Sequence, residues 1–216
     1  MNVLKHLETA LFVKPPAWLR KLSVRTVWRI PTEEKLLFLT FDDGPVPGNT
    51  EWILSELKQR EARATFFCTG DNVQSHPALY QRILEEGHDT GNHTMRHLDG
   101  YRTGIRRYVR DVYQAGGFID SKLFRPPYGR IRPFAGRILS SRFYVVLWDI
   151  LSMDYDPELR PEKVLDHVLS AIRPGSIIVF HDNRKARKNL EYVLPRVLDA
   201  CRQQGFKFVP LTPYLP

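Results

Sequence analysis

A chain of 216 residues with 43% hydrophobic and 26% charged side chains has the composition of one ordinary globular domain, which excludes disordered, collagen-like and coiled-coil classes. Its longest apolar runs, such as Phe143–Trp148 and Ile177–Phe180, fall far short of the roughly 18 residues of a membrane span, and its two cysteines, Cys68 and Cys201, make no disulfide framework and read as buried thiols. The formal charge of +8 is the outlier: Arg96 to Arg142 holds eleven Lys or Arg against three Asp, an excess equal to that of the entire chain.

Residues 1–34 are irregular and read as an arm packed on the domain through Trp18, Leu22 and Trp28, with the domain proper at 35–216. From Lys35 onward, short apolar runs alternate with helical patterns. Leu36–Phe41 is predicted as a strand and Thr50–Arg60 as a helix, with Trp52, Ile53 and Leu57 at helical spacing. Ala64–Cys68 is the next strand, and Pro77–Glu86 a helix stopped by Gly87. Leu123–Arg125 is a short strand running into two prolines. Phe143–Trp148 and Ser176–Phe180 read as buried strands, separated by a helix over Pro161–Ile172 that opens on proline. Asn189–Gln204 is the last helix, kinked or started by Pro195, and Phe206–Val209 the last strand. This alternation argues for a parallel sheet or barrel. The domain's roughly 180 residues fall short of the roughly 250 of a complete eight-unit barrel, so the α/β fold is an incomplete barrel or an open sheet.

The notable polar clusters each follow a predicted strand: Asp42-Asp43-Gly44-Pro45, Arg125-Pro126-Pro127-Tyr128-Gly129, Asp149 with Asp154-Tyr155, and His181-Asp182. Parallel α/β folds gather their sites at strand carboxyl ends, where the loops share one rim. Adjacent carboxylates at a strand end point to different sides, so one of Asp42 and Asp43 can take a metal while its neighbour faces substrate. His93 and His97 stand four apart, on one face of a helical turn and within reach of one ion. Two imidazoles and one carboxylate leave positions open for water, which is catalytic-metal logic and suits zinc or non-haem iron. The glutamate of a His-Glu-x-x-His protease motif is absent, because position 94 is Thr; a hydrolase would need another base, and Asp42 is the candidate. His181, emerging from an apolar strand, suits a general acid with an ordinary pKa of roughly 6.5. Arg125 reads either as a clamp on Asp42 or Asp154 or as a rim arginine in solvent. His88, close in sequence to the histidine pair, reads as a structural or supporting residue.

Taken in order, Thr40-Phe41-Asp42-Asp43-Gly44-Pro45, His93-Thr94-x-x-His97, Arg125-Pro126-Pro127-Tyr128-Gly129, Trp148-Asp149 through Asp154-Tyr155, and Ile178-Val179-Phe180-His181-Asp182 resemble the motifs of the polysaccharide deacetylase (NodB-homology) family of carbohydrate esterases, in its compact bacterial form. The resemblance spans about Lys35 to Val209. It implies an α/β fold of the distorted, incomplete (β/α) barrel type. It also implies metal-dependent removal of N-acetyl, sometimes O-acetyl, groups from chitin-like, peptidoglycan-like or related glycans. By the same resemblance Asp43, His93 and His97 would hold Zn²⁺, with Co²⁺ or Ni²⁺ as substitutes. Asp42 would be the general base held by Arg125, His181 the general acid tuned by Asp154, and the Tyr128 N–H an oxyanion-hole donor. Tyr155 stands where the family often has Trp, and Val179 where it often has Leu. Both positions line the acetyl pocket in relatives, so Tyr128, Tyr155 and Val179 are the expected substrate contacts, and the acyl group is the open question.

The expected partner is an acetylated glycan, anionic if the basic segment borders the groove. That segment otherwise reads as a solvated face with ordinary ion pairs. Nucleic acid is not expected, since no helix-turn-helix, zinc-finger or RNP signature is present. A monomer is the default. With no signal-peptide pattern at the start, the expected location is the cytoplasm, with peripheral envelope association as the variant. The alternatives are a superfamily amidohydrolase acting on a small non-glycan amide, and a non-catalytic binder of anionic glycan or nucleic acid.

Overall fold

The computed structural model describes residues 26–215. Trp18, Leu22 and the rest of the expected arm up to residue 25 lie outside the described residues. Among the described residues nine strands form one sheet: β1 (Thr26–Val27), β2 (Leu36–Asp42), β3 (Ala64–Cys68), β4 (Asp89–Asn92), β5 (Leu123–Phe124), β6 (Tyr144–Val146), β7 (Ile150–Leu151), β8 (Ile177–His181) and β9 (Lys207–Phe208). Their order is β1-β6-β5-β4-β3-β2-β8-β7, with β9 against the start of β2, and every pairing is parallel. The sheet curls into an open half-barrel, and all strand carboxyl ends meet on one rim.

Strand β2 shows why the sequence makes this shape. All seven of its residues are buried, as expected of a central parallel strand covered on both faces. Its odd positions, Leu37, Leu39 and Phe41, join the core shared with α1 (Asn49–Gln59) and α7 (Arg187–Gln203), through Ile53, Leu54, Leu57, Leu190, Val193 and Leu194. Its even positions face the barrel interior. Leu36 and Phe38 pack there with Phe67, Leu123 and Ile177, and further along the strand Thr40 and Asp42 take over. The period of two therefore turns an apolar plug into a polar shaft at the carboxyl end.

The remaining helices are α2 (Gly70–Ser75), α3 (Pro77–Glu85), α4 (Ile105–Ala115), α5 (Pro133–Leu139) and α6 (Pro161–Ala171). Helix α7 runs unbroken through Pro195, because burial of Val193, Leu194, Val197 and Leu198 outweighs one lost backbone bond. The expected strand 143–148 is shortened to β6, and the short β7 follows beyond its expected end. Strand β4 carries no apolar signal; Gly91 lets the Phe67 ring lie where a side chain would stand, 2.5 Å from an added Cβ. Helix α4 hides in the basic segment, yet its buried Tyr108, Asp111, Val112 and Ala115 keep helical spacing.

The end of the expected arm is part of the sheet. β1 pairs with β6, and the Ile30 N–H donates to the Gly175 carbonyl at 3.0 Å, reaching toward β8. Trp28 packs on Leu147, Trp148, Leu151 and Val179. Residues 26–30 thus strap the opening of the half-barrel. Among the described residues no helix is long and apolar enough to cross a membrane.

His88 is structural rather than a companion of the histidine pair. Its Nδ1 accepts the Ala64 N–H at 3.1 Å, and its ring meets Phe66 edge-on. Burial, then the nearby Arg63 charge, lowers its pKa to about 4. A histidine that is harder to protonate when folded contributes stability that is present above pH 6.5 and lost as the pH falls toward 4. Urea unfolding should lose about 2 kcal/mol more between pH 7.5 and pH 5 in the wild type than in His88→Gln. Equal losses would remove His88 from the acid response.

Candidate active site

Asp42 ends β2 on the interior side and is held from below by Arg125, whose side chain is wholly buried. Arg125 Nη1 donates to Asp42 Oδ1 and to Thr40 Oγ1, both at 2.7 Å; Nη2 donates to the Leu147 carbonyl at 2.9 Å and Nε to that of Val146 at 3.2 Å. The guanidinium also lies 4.0 Å over the Phe67 ring. This is the clamp on Asp42, not a solvent-facing arginine. A buried arginine stays charged and needs this degree of satisfaction.

Beyond Asp42 the chain turns sharply. Of the six non-glycine residues with positive φ among the described residues, five lie in the rim loops: Asp43 (82°), Thr94 (65°), His97 (52°), Tyr128 (60°) and Met153 (63°). Such conformations persist where surrounding bonds over-determine them. The Asp43 carbonyl accepts Asn72 Nδ2 at 2.7 Å, and its N–H donates to the Phe67 carbonyl at 3.1 Å. The expected helical turn carrying His93 and His97 is instead an irregular loop after β4, because Asn92 Oδ1 takes the Thr94 N–H and Asp111 Oδ2 takes those of Met95 and Arg96.

That loop brings His93 and His97 to Asp43. Asp43 Oδ1 lies 3.6 Å from His93 Nε2 and 3.1 Å from His97 Nε2, and the three donor atoms lie within 4.8 Å of one another. Asp43 Oδ1 is buried and takes no hydrogen bond. Donors at 2.0–2.1 Å from a tetrahedral ion stand about 3.3 Å apart, so these spacings fit a divalent transition metal. Protonation states agree. Burial, partly offset by Asp42, lowers His93 to a pKa of about 4, and its Nδ1–H donates to the Arg125 carbonyl at 2.8 Å, leaving Nε2 as the lone-pair donor. Burial alone would raise Asp43, but the neighbouring His97, His181 and His93 imidazoles hold it well below the usual carboxylate range.

His181 is the register partner of Asp42 on the adjacent strand, beside it rather than across the groove. Asp154, fully buried, accepts His181 Nδ1 at 2.7 Å and the His181 N–H at 2.8 Å. Burial works against the imidazolium, yet the Asp154 charge and hydrogen bond, aided by Asp43 and Asp42, raise His181 to about 9. Its Nε2 is left for the cleft. This cleft, about 800 Å³, is lined by the residues above together with Tyr128, Trp148, Leu151, Tyr155 and Val179. Tyr155 meets the His181 ring edge-on at 4.8 Å, and Tyr128 meets His97 in the same way at 4.8 Å. Val179 is fully buried and forms floor rather than wall. The Gly129 and Arg130 N–H groups close the turn onto Pro126 and Pro127, leaving the Tyr128 N–H outside those bonds.

Two expected rim carboxylates face elsewhere. Asp149 is buried against Arg173, at 2.7 and 3.1 Å, and Ser176, at the amino end of β8. Asp182 accepts Asn49 Nδ2 at 2.9 Å and Thr50 Oγ1 at 2.5 Å, fastening the loop after β2, and burial pushes it up to about 7. Gly44 is required there, since an added Cβ would stand 2.2 Å from Asp182 Oδ2. Of the eleven basic residues in 96–142, only Arg96 and Arg130 line the cleft, besides Arg125 beneath Asp42.

Asn183 carried no signal in the sequence, being one polar residue in a polar loop. Its Nδ2 donates to Asp43 Oδ2 at 2.6 Å, and its Oδ1 accepts the Lys185 and Ala186 N–H groups at 2.9 and 3.0 Å. It orients the carboxylate so that Oδ1 faces the two histidines.

The polysaccharide deacetylase family model matches residues 29–141. A peptidoglycan-N-acetylglucosamine deacetylase of Bacillus cereus is 34% identical over 198 residues, covering 87% of this chain and 92% of the relative. A chitooligosaccharide deacetylase of Sinorhizobium fredii is 32% identical over 206 residues, covering 85% and 93%. The crystal structure of the Bc1960 peptidoglycan N-acetylglucosamine deacetylase, in complex with a naphthalenyl N-oxidanyl-benzamide, superimposes with a TM-score of 0.82 at 28% identity, covering 92% of this chain and 95% of that one.

Orienting partners of metal ligands typically contribute 10- to 100-fold in affinity. Asn183→Ala should therefore weaken the affinity of this site for a divalent transition metal by roughly tenfold or more, read by competition with a chromophoric chelator. Unchanged affinity would reduce Asn183 to a loop fastener.

Proposed function

The chain belongs to the polysaccharide deacetylase family, hydrolases of non-peptide carbon–nitrogen bonds, and from that premise we propose that it is a metal-dependent hydrolase of N-acetyl groups on an amino-sugar polymer or oligomer of the peptidoglycan or chitin type. The observation that carries this reading is the pairing of Asp42 and His181 as neighbours on β2 and β8, beside the three converging donors Asp43, His93 and His97. Zn²⁺ is the proposed ion on those donors. When bound it supplies Lewis acidity, polarising the acetyl carbonyl and lowering the pKa of a water toward about 7.

The protein's own groups then divide the work. Asp42, fixed through Oδ1 by Arg125, keeps Oδ2 free to take the proton of the attacking water. The Tyr128 N–H donates to the carbonyl oxygen as it gains charge. His181 delivers the proton at Nε2 to the departing amine, which is a poor leaving group unless protonated. Its raised pKa keeps it charged at neutral pH, while Asp154 fixes the ring and the tautomer. Tyr155, Trp148 and Leu151 give the acetyl methyl an apolar wall. The catalytic unit is proposed to be 35–216, completed by the strap at 26–30.

Acetate release from N-acetylglucosamine oligomers or peptidoglycan should be abolished by chelation and restored by Zn²⁺; chelator-insensitive release would overturn metal dependence. Asp42→Asn and His181→Ala should each lose roughly 10²- to 10⁴-fold in kcat/KM while still binding metal. The acid must be protonated, so kcat should fall as the pH rises through about 9. Removing the Asp154 charge leaves burial dominant, so in Asp154→Asn that alkaline limb should move down by more than one pH unit. A limb that stayed in place would mean that His181 is not the group titrating.

A further inference from the structure

The rim of the cleft carries four cations, Arg96, Arg130, Arg184 and Lys185. Two of them are committed to the fold. Arg96 Nη1 bonds Asp111 Oδ1 at 3.0 Å, and Arg130 reaches Asp99 Oδ2 at 3.4 Å. Arg187, from the same basic run as Arg184 and Lys185, is committed as well: it bonds Glu191 at 2.5 Å and the Gly48 carbonyl at 2.8 Å and lies over the Trp52 ring. Arg184 and Lys185 differ. Both are exposed, both line the cleft, and among the described residues neither makes an ion pair or a side-chain hydrogen bond.

Their backbone, in contrast, is held firmly. Asn183 Oδ1 accepts the Lys185 and Ala186 N–H groups while its Nδ2 bonds Asp43. Asp182 and Ala186, on either side, are fully buried. Two exposed cationic side chains therefore stand on a turn whose position is fixed relative to Asp43, the proposed metal ligand. Within the cleft, Asp42 is neutralised by Arg125, Asp43 faces the proposed ion, and Asp154 is matched by His181. Asp71 alone, on the α2 side, offsets the pair. The mouth on the β8 side has a positive surplus that a neutral sugar would not use.

We propose that Arg184 and Lys185 select glycans bearing a carboxylate near the ring whose N-acetyl group enters the site, over neutral glycans of equal length. This rests on the glycan deacetylase reading above and narrows its substrate class. The pinned turn lowers the ordering cost of the contact, and the exposed heads make it salt-sensitive.

The test compares two tetrasaccharides, one built wholly of N-acetylglucosamine and one alternating it with N-acetylmuramic acid, which adds a lactyl carboxylate to every second ring. Affinity is measured calorimetrically on the Zn²⁺-loaded full chain in an Asp42→Asn background, at low and high salt. Arg184 and Lys185 are tested there as the pair and as the double variant Arg184→Gln/Lys185→Gln. Acetate release is followed in parallel without the Asp42 change. The pair should favour the carboxylated sugar by roughly five- to tenfold at low salt, less at high salt. The double variant should lose that preference, and in turnover the loss should appear in KM rather than kcat. A preference that survives the double substitution, or equal binding of both sugars by the unsubstituted rim, would overturn the proposal. Failure to release acetate from either sugar would instead overturn the deacetylase reading, while the affinity ratio would still decide the role of the rim.

Discussion

The structure depends on a guanidinium buried in the mouth of an open barrel. Arg125 comes from β5 and touches β2 through Thr40 and Asp42, and the ends of β6 through the Val146 and Leu147 carbonyls, while its own carbonyl fixes His93 after β4. Four strand ends are thereby tied to one residue. Removing either partner of such a pair leaves an uncompensated buried ion, typically worth about 3–5 kcal/mol. Asp42, the proposed base, and His93, one of the three proposed metal donors, thus share a single support. Asp42 is positioned by the same contact that keeps the half-barrel's rim together.

Around that contact the site sets two histidines apart by environment. Asp154 accepts two hydrogen bonds from one residue, His181, and converts a buried imidazole that burial would discharge into one that stays protonated. His93, also buried but bonded to a carbonyl rather than a carboxylate, goes the other way and is neutral. Two histidines lining one cleft take opposite charge states because of what each Nδ1 meets, one suited to giving a proton and the other to giving a lone pair.

Much of this was legible in the sequence, and the legible part follows one rule. Strands β2, β3 and β8 are buried on both faces, so they stand out as apolar runs, and the polar residues that end them mark the rim. What escaped lacks that contrast. β4 is Asp-Thr-Gly-Asn, a strand whose burial depends on Gly91 admitting a neighbour's ring, and the loop after it takes its shape from Asn92 and Asp111 side chains, not from helical spacing. Asp149 and Asp182 follow strands in the same manner as Asp42, but their partners, Arg173 and Asn49–Thr50, are far away in sequence, so direction could not be read from position. Asn183 acts only through Asp43, and nothing in a local pattern reports a contact made across 140 positions.

The excess positive charge divides along the same lines. Where the sequence concentrates it, in 96–142, the structure commits part of it to the fold, with Arg125 under Asp42, Arg96 on Asp111 and Arg130 on Asp99, and leaves Arg106, Arg107 and Arg110 exposed on the solvent side of α4, away from the cleft. The smaller run at 184–188 places two cations on the cleft with no acid assigned to them. Charge density along the chain is therefore a poor guide to electrostatic function, and pairing is a better one. A cation already satisfied by a buried carboxylate has its free energy in folding, whereas one left unpaired on a turn fixed to Asp43 has it available for whatever enters the cleft.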